Sequence, residues 1–450
     1  MNFSTKILAL IGAVSVAVVV VCTRLGFPGE AAAEYGVTLR VFIALICVSG
    51  LLYLGAVGVV LRGNLGRGTF WGILACAAIM RILALSEAPF LSTDVYRYVW
   101  DGRVQAAGIS PYRYIPDAPQ LNALRDAEIN PQINRAHYAP TIYPPVAQVI
   151  FLFVGKISST VGAMKVAMVL FEALTIFAIV KLLVIAGLPR ERVLIYAWNP
   201  LPIWEFAGNG HIDAAAIGFI ALALLACVRG RAYLVGAALG AATLVKFLPV
   251  AIFPALWRRW DIKMPAGFLA VAAIFYLCYA SVGWKVFGFL PGYFSEEGLN
   301  DGRGYYYPFA LERVTGALPA MAYPVLALIL LVALAWRVAF ARRPPMREEA
   351  AVLALMRDTL LLATALVIAL TPHYAWYFAW LALPACFVPA FSVLYLTIAA
   401  SFLYLDPGHT ELLWRSLVYG VFPVLAIAEV WWHRSAIANP ALRAQWRTIR

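Results

Sequence analysis

Apolar runs long enough to cross the ~30 Å hydrocarbon layer of a bilayer recur from one end of this chain to the other, and that recurrence leaves few architectures open. Backbone polar groups in lipid must be satisfied within the protein, so only helices and closed barrels span membranes. The runs are continuous and rich in Leu, Ala and Val, whereas a barrel would show short alternating segments. Of 450 residues, 63% are hydrophobic and 13% charged. The expected fold is therefore an all-α polytopic membrane protein, a helical bundle with about 12 to 14 crossings of ~20 residues each, some shorter. The first run, Ile7 to Cys22, is read as a retained anchor, because no small-residue cleavage site stands out after it and another run soon follows. The six cysteines fall inside apolar runs without a CxxC spacing, which points to small core residues and away from disulfides or a zinc site.

A net charge of +12 would raise a nucleic-acid partner in a soluble chain. Here the arginines crowd short connections: Arg62 to Arg67, Arg190 to Arg192, Arg229 to Arg231, Arg258 to Lys263, Arg342 to Arg347 and the tail after His433. That is the pattern of cytoplasmic loops, so a lipid bilayer is expected as partner and nucleic acid is not. The segments Leu91 to Pro145, Gly208 to Asp213, Trp284 to Pro308, Thr371 to Trp376 and Asp406 to Glu411 then lie outside, and both termini inside. The map closes only if Tyr143 to Ser159 is re-entrant or paired with a short return, and if Ala232 to Leu256 is a helix broken near Lys246 and Pro249. A single integral-membrane domain over 1–450 is expected: an N-terminal helix pair over 1–68, a module over 69–256 carrying an outer loop at 91–145, and C-terminal membrane helices over 257–450 with an outer loop at 284–310. No internal repeat or low-complexity tract is visible.

Lipid could not host the stretch Leu91 to Pro145, which is polar and rich in aromatics. Ser92 or Thr93 is a natural N-cap, Asp94 falls in the first turn, and a helix to about Ala107 follows. Val95, Val99 and Val104 with Tyr98 and Trp100 suit a helix lying at the membrane interface. Asp94, Arg97, Asp101 and Gln105 share one face. Two turns, about 10.5 Å along the axis, separate Asp94 from Asp101, too far for carboxylates sharing one proton or one metal ion. Two readings stay open. Either one carboxylate acts as a base while the other pairs with Arg97, or Asp94 merely favours the helix dipole and Asp101 merely pairs with Arg97.

The string SxDVYRYxWDGRVxxxG over Ser92 to Gly108 is followed by Gly108-Ile109-Ser110-Pro111-Tyr112 and by His137-Tyr138-Ala139-Pro140-Thr141-Ile142-Tyr143-Pro144-Pro145. Further on stand Trp198-Asn199-Pro200-Leu201, Gly208-Asn209-Gly210-His211-Ile212-Asp213, Leu244-Val245-Lys246-Phe247-Leu248-Pro249 and Thr371-Pro372-His373-Tyr374-Ala375-Trp376-Tyr377. In this order the set resembles bacterial polyprenyl-phosphate-sugar-dependent glycosyltransferases of the GT-C superfamily, the mannosyltransferase and glycosyltransferase-87-like group. The resemblance implies a GT-C-like fold and inverting transfer of a hexose, mannose first among them, from a polyprenyl-phosphate donor to a glycan or glycolipid acceptor. It implies a multi-pass protein of the plasma (inner) membrane whose site faces the extracytoplasmic side. It also implies that Asp94, the acidic residue of the first outer loop of the module, is the catalytic base. Asp94 stands in Ser-Thr-Asp with no adjacent acidic pair, so no cofactor is expected and a divalent cation lacks support.

A polyprenyl phosphate leaves as an anion and needs cations or donors close by. Lys246, at a break in an apolar run, is the first candidate, with snorkelling or carbonyl binding as the alternative. Arg97, Arg103 and Arg113 are further candidates, and Asp101 is grouped with them as a donor-binding residue. His211 and Asp213, behind a glycine turn that lets backbone approach a ligand, are read as sugar or phosphate contacts, or else as helix capping. His137, Tyr143, His373 and Tyr374 are read as sugar contacts or as part of an interfacial aromatic belt. Glu172 and Glu429 are expected to face neighbouring helices. The glycine-rich segment Trp284 to Tyr307 reads as a lid over an acceptor cleft or as a solvated loop. Two other classes remain as rivals. A transporter or lipid flippase should show two similar halves, which are not seen, and an assembly protein would not need Asp, His, Lys and aromatic residues clustered on one side.

Overall fold

The structure, a computed structural model, describes residues 2–27, 34–316, 321–341 and 349–438, and among them every regular element is helical. The first six helices are α1 (Phe3–Thr23), α2 (Tyr35–Leu61), α3 (Thr69–Leu85), α4 (Asp94–Ala106), α5 (Pro145–Ile157) and α6 (Val161–Ile185). Six of the described helices are long and apolar enough to span a membrane, seven if one sharply bent pair, Lys263–Leu277 with Ala280–Glu296, counts as a span. Five more apolar helices are only 10–17 residues long. Several of the segments counted among the expected 12 to 14 crossings are thus short or broken pieces, because proline and glycine divide the apolar runs. The run from Leu194 to Gly208, for instance, is an α-turn, a Pro200–Pro202 turn and a π-helical Ile203–Gly208 segment in succession. Of the arginine-rich connections, Arg342 to Arg347 lies outside the described residues, as does most of the tail.

The run Ala232 to Leu256 is broken where expected. An α-helix ends at Thr243 and a 3-10 turn carries Leu248–Ile252, with Lys246 in the gap. The Leu244 carbonyl left free by the break accepts from the Val146 and Ala147 amides at 3.0 and 3.2 Å, which seats the start of α5 beside Lys246. At 13 residues α5 rises only about 20 Å, short of the ~30 Å hydrocarbon layer, and the 25-residue α6 begins just beyond it. Charged groups inside the bundle are matched: Arg81 of α3 meets Glu172 of α6 at 2.7 Å, and Glu429 accepts from the Phe391 and Ser392 amides at a helix start. All six cysteines are free.

One expectation about α4 is overturned. The helix forms as read from the sequence, but it is not laid on a surface: Val95, Tyr98, Val99, Trp100 and Val104 are all buried. It packs on α5, with the Tyr98 ring stacked on Phe151 at 4.7 Å. The close approach depends on glycine, since a Cβ on Gly102 would lie 2.4 Å from the Phe151 carbonyl oxygen and one on Gly155 would lie 3.0 Å from the Gly102 carbonyl carbon. Both neighbours are backbone and cannot swing aside. Gly102→Ala should therefore cost about 1–3 kcal/mol and lower the thermal unfolding midpoint in detergent, as overpacking does elsewhere; an unchanged midpoint would mean the helices can part freely.

Candidate active site

The chain just upstream of Asp94 is fixed by the Gly208 to Asp213 turn, whose Asn209 side-chain oxygen accepts from the Phe90 and Leu91 amides at 3.1 and 3.0 Å. Gly210 of the same turn, at φ +75°, comes so close to α4 that a Cβ there would lie 2.9 Å from Val95, so its freedom lets the turn pack on that helix. Ser92, just before the Thr93 N-cap of α4, accepts from the Asp94 amide at 3.2 Å. The Asp94 carboxylate is held by two donors from the far end of the loop, Asn134 Nδ2 at 2.7 Å and the Tyr143 hydroxyl at 3.1 Å. Burial, and after it the Asp94 charge, push the Tyr143 phenol well above its ordinary range, so it stays a donor.

Asp94 opens on a cavity of about 520 Å³ that Arg97, Tyr143, Lys246, His373 and Tyr374 also line. Six residues expected from the sequence, drawn from four separate segments, thus meet at one place. Lys246 is fixed there by Asp213, to both of whose oxygens its Nζ donates at 3.0 and 2.8 Å, and by the Tyr377 ring, whose centre lies 4.2 Å away. Asp213 is thereby committed to Lys246 and borders only a small side cleft. A second cavity of about 180 Å³ shares the Tyr143, Lys246, Tyr293 and Tyr374 wall and is otherwise mostly apolar, with Val245, Phe247, Leu248, Leu290 and Phe294 around it.

The other expected residues stand elsewhere. Asp101 binds Arg97 Nε at 2.9 Å and Gln148 at 2.8 Å and does not line the cavity. Arg103 is taken up by Asp126 at 2.6 Å and Ser159 at 3.1 Å, Arg113 is exposed and away from the cavity, and His137 lies on the surface paired with Asp117. His211 is fully buried, stacked on Trp376 at 4.0 Å and 3.4 Å from Glu205. None of these four lines the cavity.

Several cavity residues carried no local signal in the sequence. Asn134 and Arg135 come from the loop between α4 and α5, Tyr293 and Glu297 from the glycine-rich segment, and Tyr404 and His409 from the turn near Asp406 to Glu411. The glycine-rich segment is clasped over the cavity and is no free loop. Arg135 donates to Glu296 at 2.6 Å and Tyr138 to Glu296 at 2.8 Å, while Glu297 binds His373 Nδ1 at 2.9 Å and the Tyr374 hydroxyl at 3.1 Å. Burial alone would raise the Glu297 carboxyl, but His373 and Tyr374 hold it below the usual range. Of the five non-glycine residues with φ in the left-handed region among the described residues, Arg135, Thr371 and His409 border these two cavities, which is where backbone strain is commonly kept.

His409 gives the site a pH signature. Burial, and then the His373 ring stacked on it at 4.1 Å, depress its imidazole to about 4 from 6.5. The folded state keeps it neutral while the unfolded chain takes a proton near 6.5, so its stabilisation is complete above about 6.5 and is lost as pH falls toward 4. His409→Asn, which tolerates the local φ of +55°, should flatten the fall of the unfolding midpoint across that window; an unchanged slope would contradict this.

A family model described as alpha-(1->6)-mannopyranosyltransferase, N-terminal domain, matches residues 3–260, a stretch that contains Asp94, Tyr143, Asp213 and Lys246. The chain belongs to this family. It is thus a GT-C, glycosyltransferase-87-like chain with multiple membrane spans. It is also similar to alpha-(1->6)-mannopyranosyltransferase A of Mycobacterium tuberculosis (strain ATCC 25618 / H37Rv), 27% identical over 248 residues that cover 52% of this chain and 47% of the relative. The chain spans about half the length of that curated relative. No solved structure matches it.

Proposed function

We propose that this protein is an inverting mannosyltransferase that takes mannose from a polyprenyl-phosphate donor and passes it to a glycan or glycolipid on the extracytoplasmic side of the plasma membrane. One observation carries the donor class: Lys246 stands at the seam between the polar cavity that holds Asp94 and the mostly apolar one. A lipid-phosphate sugar has the same three parts in the same order, with its sugar suited to the polar cavity, its phosphate to the ammonium and its chain to the apolar wall. The family's printed description supports mannose as the sugar.

In this reaction the acceptor oxygen forms a bond to the anomeric carbon as the bond from that carbon to the phosphate oxygen breaks. The electron pair leaves with the phosphate and the acceptor proton passes to Asp94. Asn134 and Tyr143 hold the carboxylate in place for that transfer. Lys246, desolvated and fixed by Asp213 and Tyr377, meets the charge that grows on the leaving phosphate. The face is supported by charge asymmetry: Arg229, Arg231, Arg258 and Arg259 lie at the other ends of helices whose near ends carry Asp213 and Lys246. A prenyl-phosphate mannose bearing a photoreactive group near the head of its chain should label the wall of Val245, Phe247, Leu290 and Phe294. Labelling confined to other segments would remove the donor placement.

A further inference from the structure

The polar cavity has a wall that the apolar cavity lacks. Tyr35 and Leu39 of α2 line it together with Leu403, Tyr404 and Pro407, and none of these five borders the apolar cavity or the side cleft at Asp213. The sequence gives no reason to connect them: α2 belongs to the N-terminal pair, and Tyr404 lies more than three hundred residues further on.

Both tyrosines are held by their hydroxyls. Tyr404 donates to the two oxygens of Glu205, at 2.8 and 2.9 Å, and that carboxylate is itself buried. Tyr35 donates to the Phe90 carbonyl at 3.0 Å, two residues before Ser92. With their hydroxyls spent, what the two side chains offer the cavity is ring surface in a fixed orientation, and Ser92 and Thr93 bring hydroxyls to the same cavity beside Asp94. Rigid aromatic faces next to a few hydroxyl groups suit a pyranose ring, whose C–H face packs on the aromatic surface while its hydroxyls find polar partners.

In an inverting displacement the acceptor approaches from the face opposite the leaving group. With the phosphate at Lys246, on the wall common to both cavities, the acceptor must use the wall that the donor's lipid does not. We infer that Tyr35, Leu39, Leu403 and Tyr404 form the acceptor subsite, and that it takes a pyranose residue of a glycan. The inference rests on the donor placement argued above and deepens it: the N-terminal helix pair supplies part of the substrate site. Glu205 acts here as a positioning residue, through Tyr404.

Steady-state kinetics with octyl α-mannopyranoside as acceptor and decaprenyl-phosphate mannose as donor, or whichever sugar donor the unaltered protein turns over, separate the two subsites. Tyr35→Ala and Tyr404→Leu should each raise the KM for the octyl mannoside by about tenfold or more, with the donor KM within about twofold of the parent. Tyr35→Phe keeps the ring and loses only the bond to Phe90, so it should raise the acceptor KM clearly less than Tyr35→Ala does. A raised donor KM with an unchanged acceptor KM, no change in either, or a Tyr35→Phe variant as impaired as Tyr35→Ala would overturn the subsite. Failure of decaprenyl-phosphate mannose to serve as donor for the unaltered protein would count against the donor reading alone, since the acceptor KM is still read with the donor that works.

Discussion

Asp94→Asn is expected to leave the fold and the donor affinity close to those of the parent while transfer falls by ~10² or more, the usual loss when a general base is removed. The side chain keeps its shape. Its amide oxygen can still accept from Asn134, and its nitrogen can donate to the Tyr143 hydroxyl in place of the bond Tyr143 now gives. What disappears is the ability to take up the acceptor proton. Donor binding and single-turnover transfer, measured separately, distinguish this from a binding defect. Turnover near that of the parent would remove Asp94 from the chemistry.

Removing the ammonium of Lys246 has two consequences that must be kept apart. Lys246→Ala alone strands the Asp213 carboxylate, and breaking a buried pair by deleting one member costs about 3–5 kcal/mol. The double variant Lys246→Met with Asp213→Asn avoids the stranded charge. It should fold near normally yet bind the lipid-phosphate donor ~10²-fold more weakly, because the phosphate loses its charge-assisted partner. Lys246→Arg keeps the charge but changes its geometry, so partial activity is expected. Donor affinity equal to that of the parent in the double variant would return Lys246 to a purely structural role and turn attention to Arg97 and Arg135, which line the same cavity.

The parts of this arrangement that could be read from the sequence are those set by local chemistry. Helix α4 is announced by its cap and its periodicity, the Arg97–Asp101 pair by its i,i+4 spacing, and the break at Lys246 by the proline that follows. The all-helical fold follows from the length of the apolar runs. The burial of α4 was hidden because it depends on Gly102 meeting Gly155 and Phe151 on another helix, a contact that leaves no periodic trace.

Side-chain partners brought together by the tertiary fold were hidden for the same reason. Asn134 reaches Asp94 across 40 residues of irregular loop, and Tyr404 reaches Glu205 across 199. Arg103 and His137 had suitable chemistry, but the fold pairs them with Asp126 and Asp117, and it buries His211 against Trp376 and Glu205. Residue type and topological side narrow the candidates; only the fold shows which of them face one cavity.

The central claim is the donor, and an in vitro transfer assay with the purified protein tests it most directly. Decaprenyl-phosphate mannose, decaprenyl-phosphate glucose, GDP-mannose and UDP-glucose are each offered with octyl α-mannopyranoside. Mannose should pass to the acceptor from decaprenyl-phosphate mannose and not from GDP-mannose, because the mostly apolar cavity beside Lys246 suits a lipid chain and offers a nucleotide few polar partners. Transfer from the nucleotide sugars alone would contradict the account.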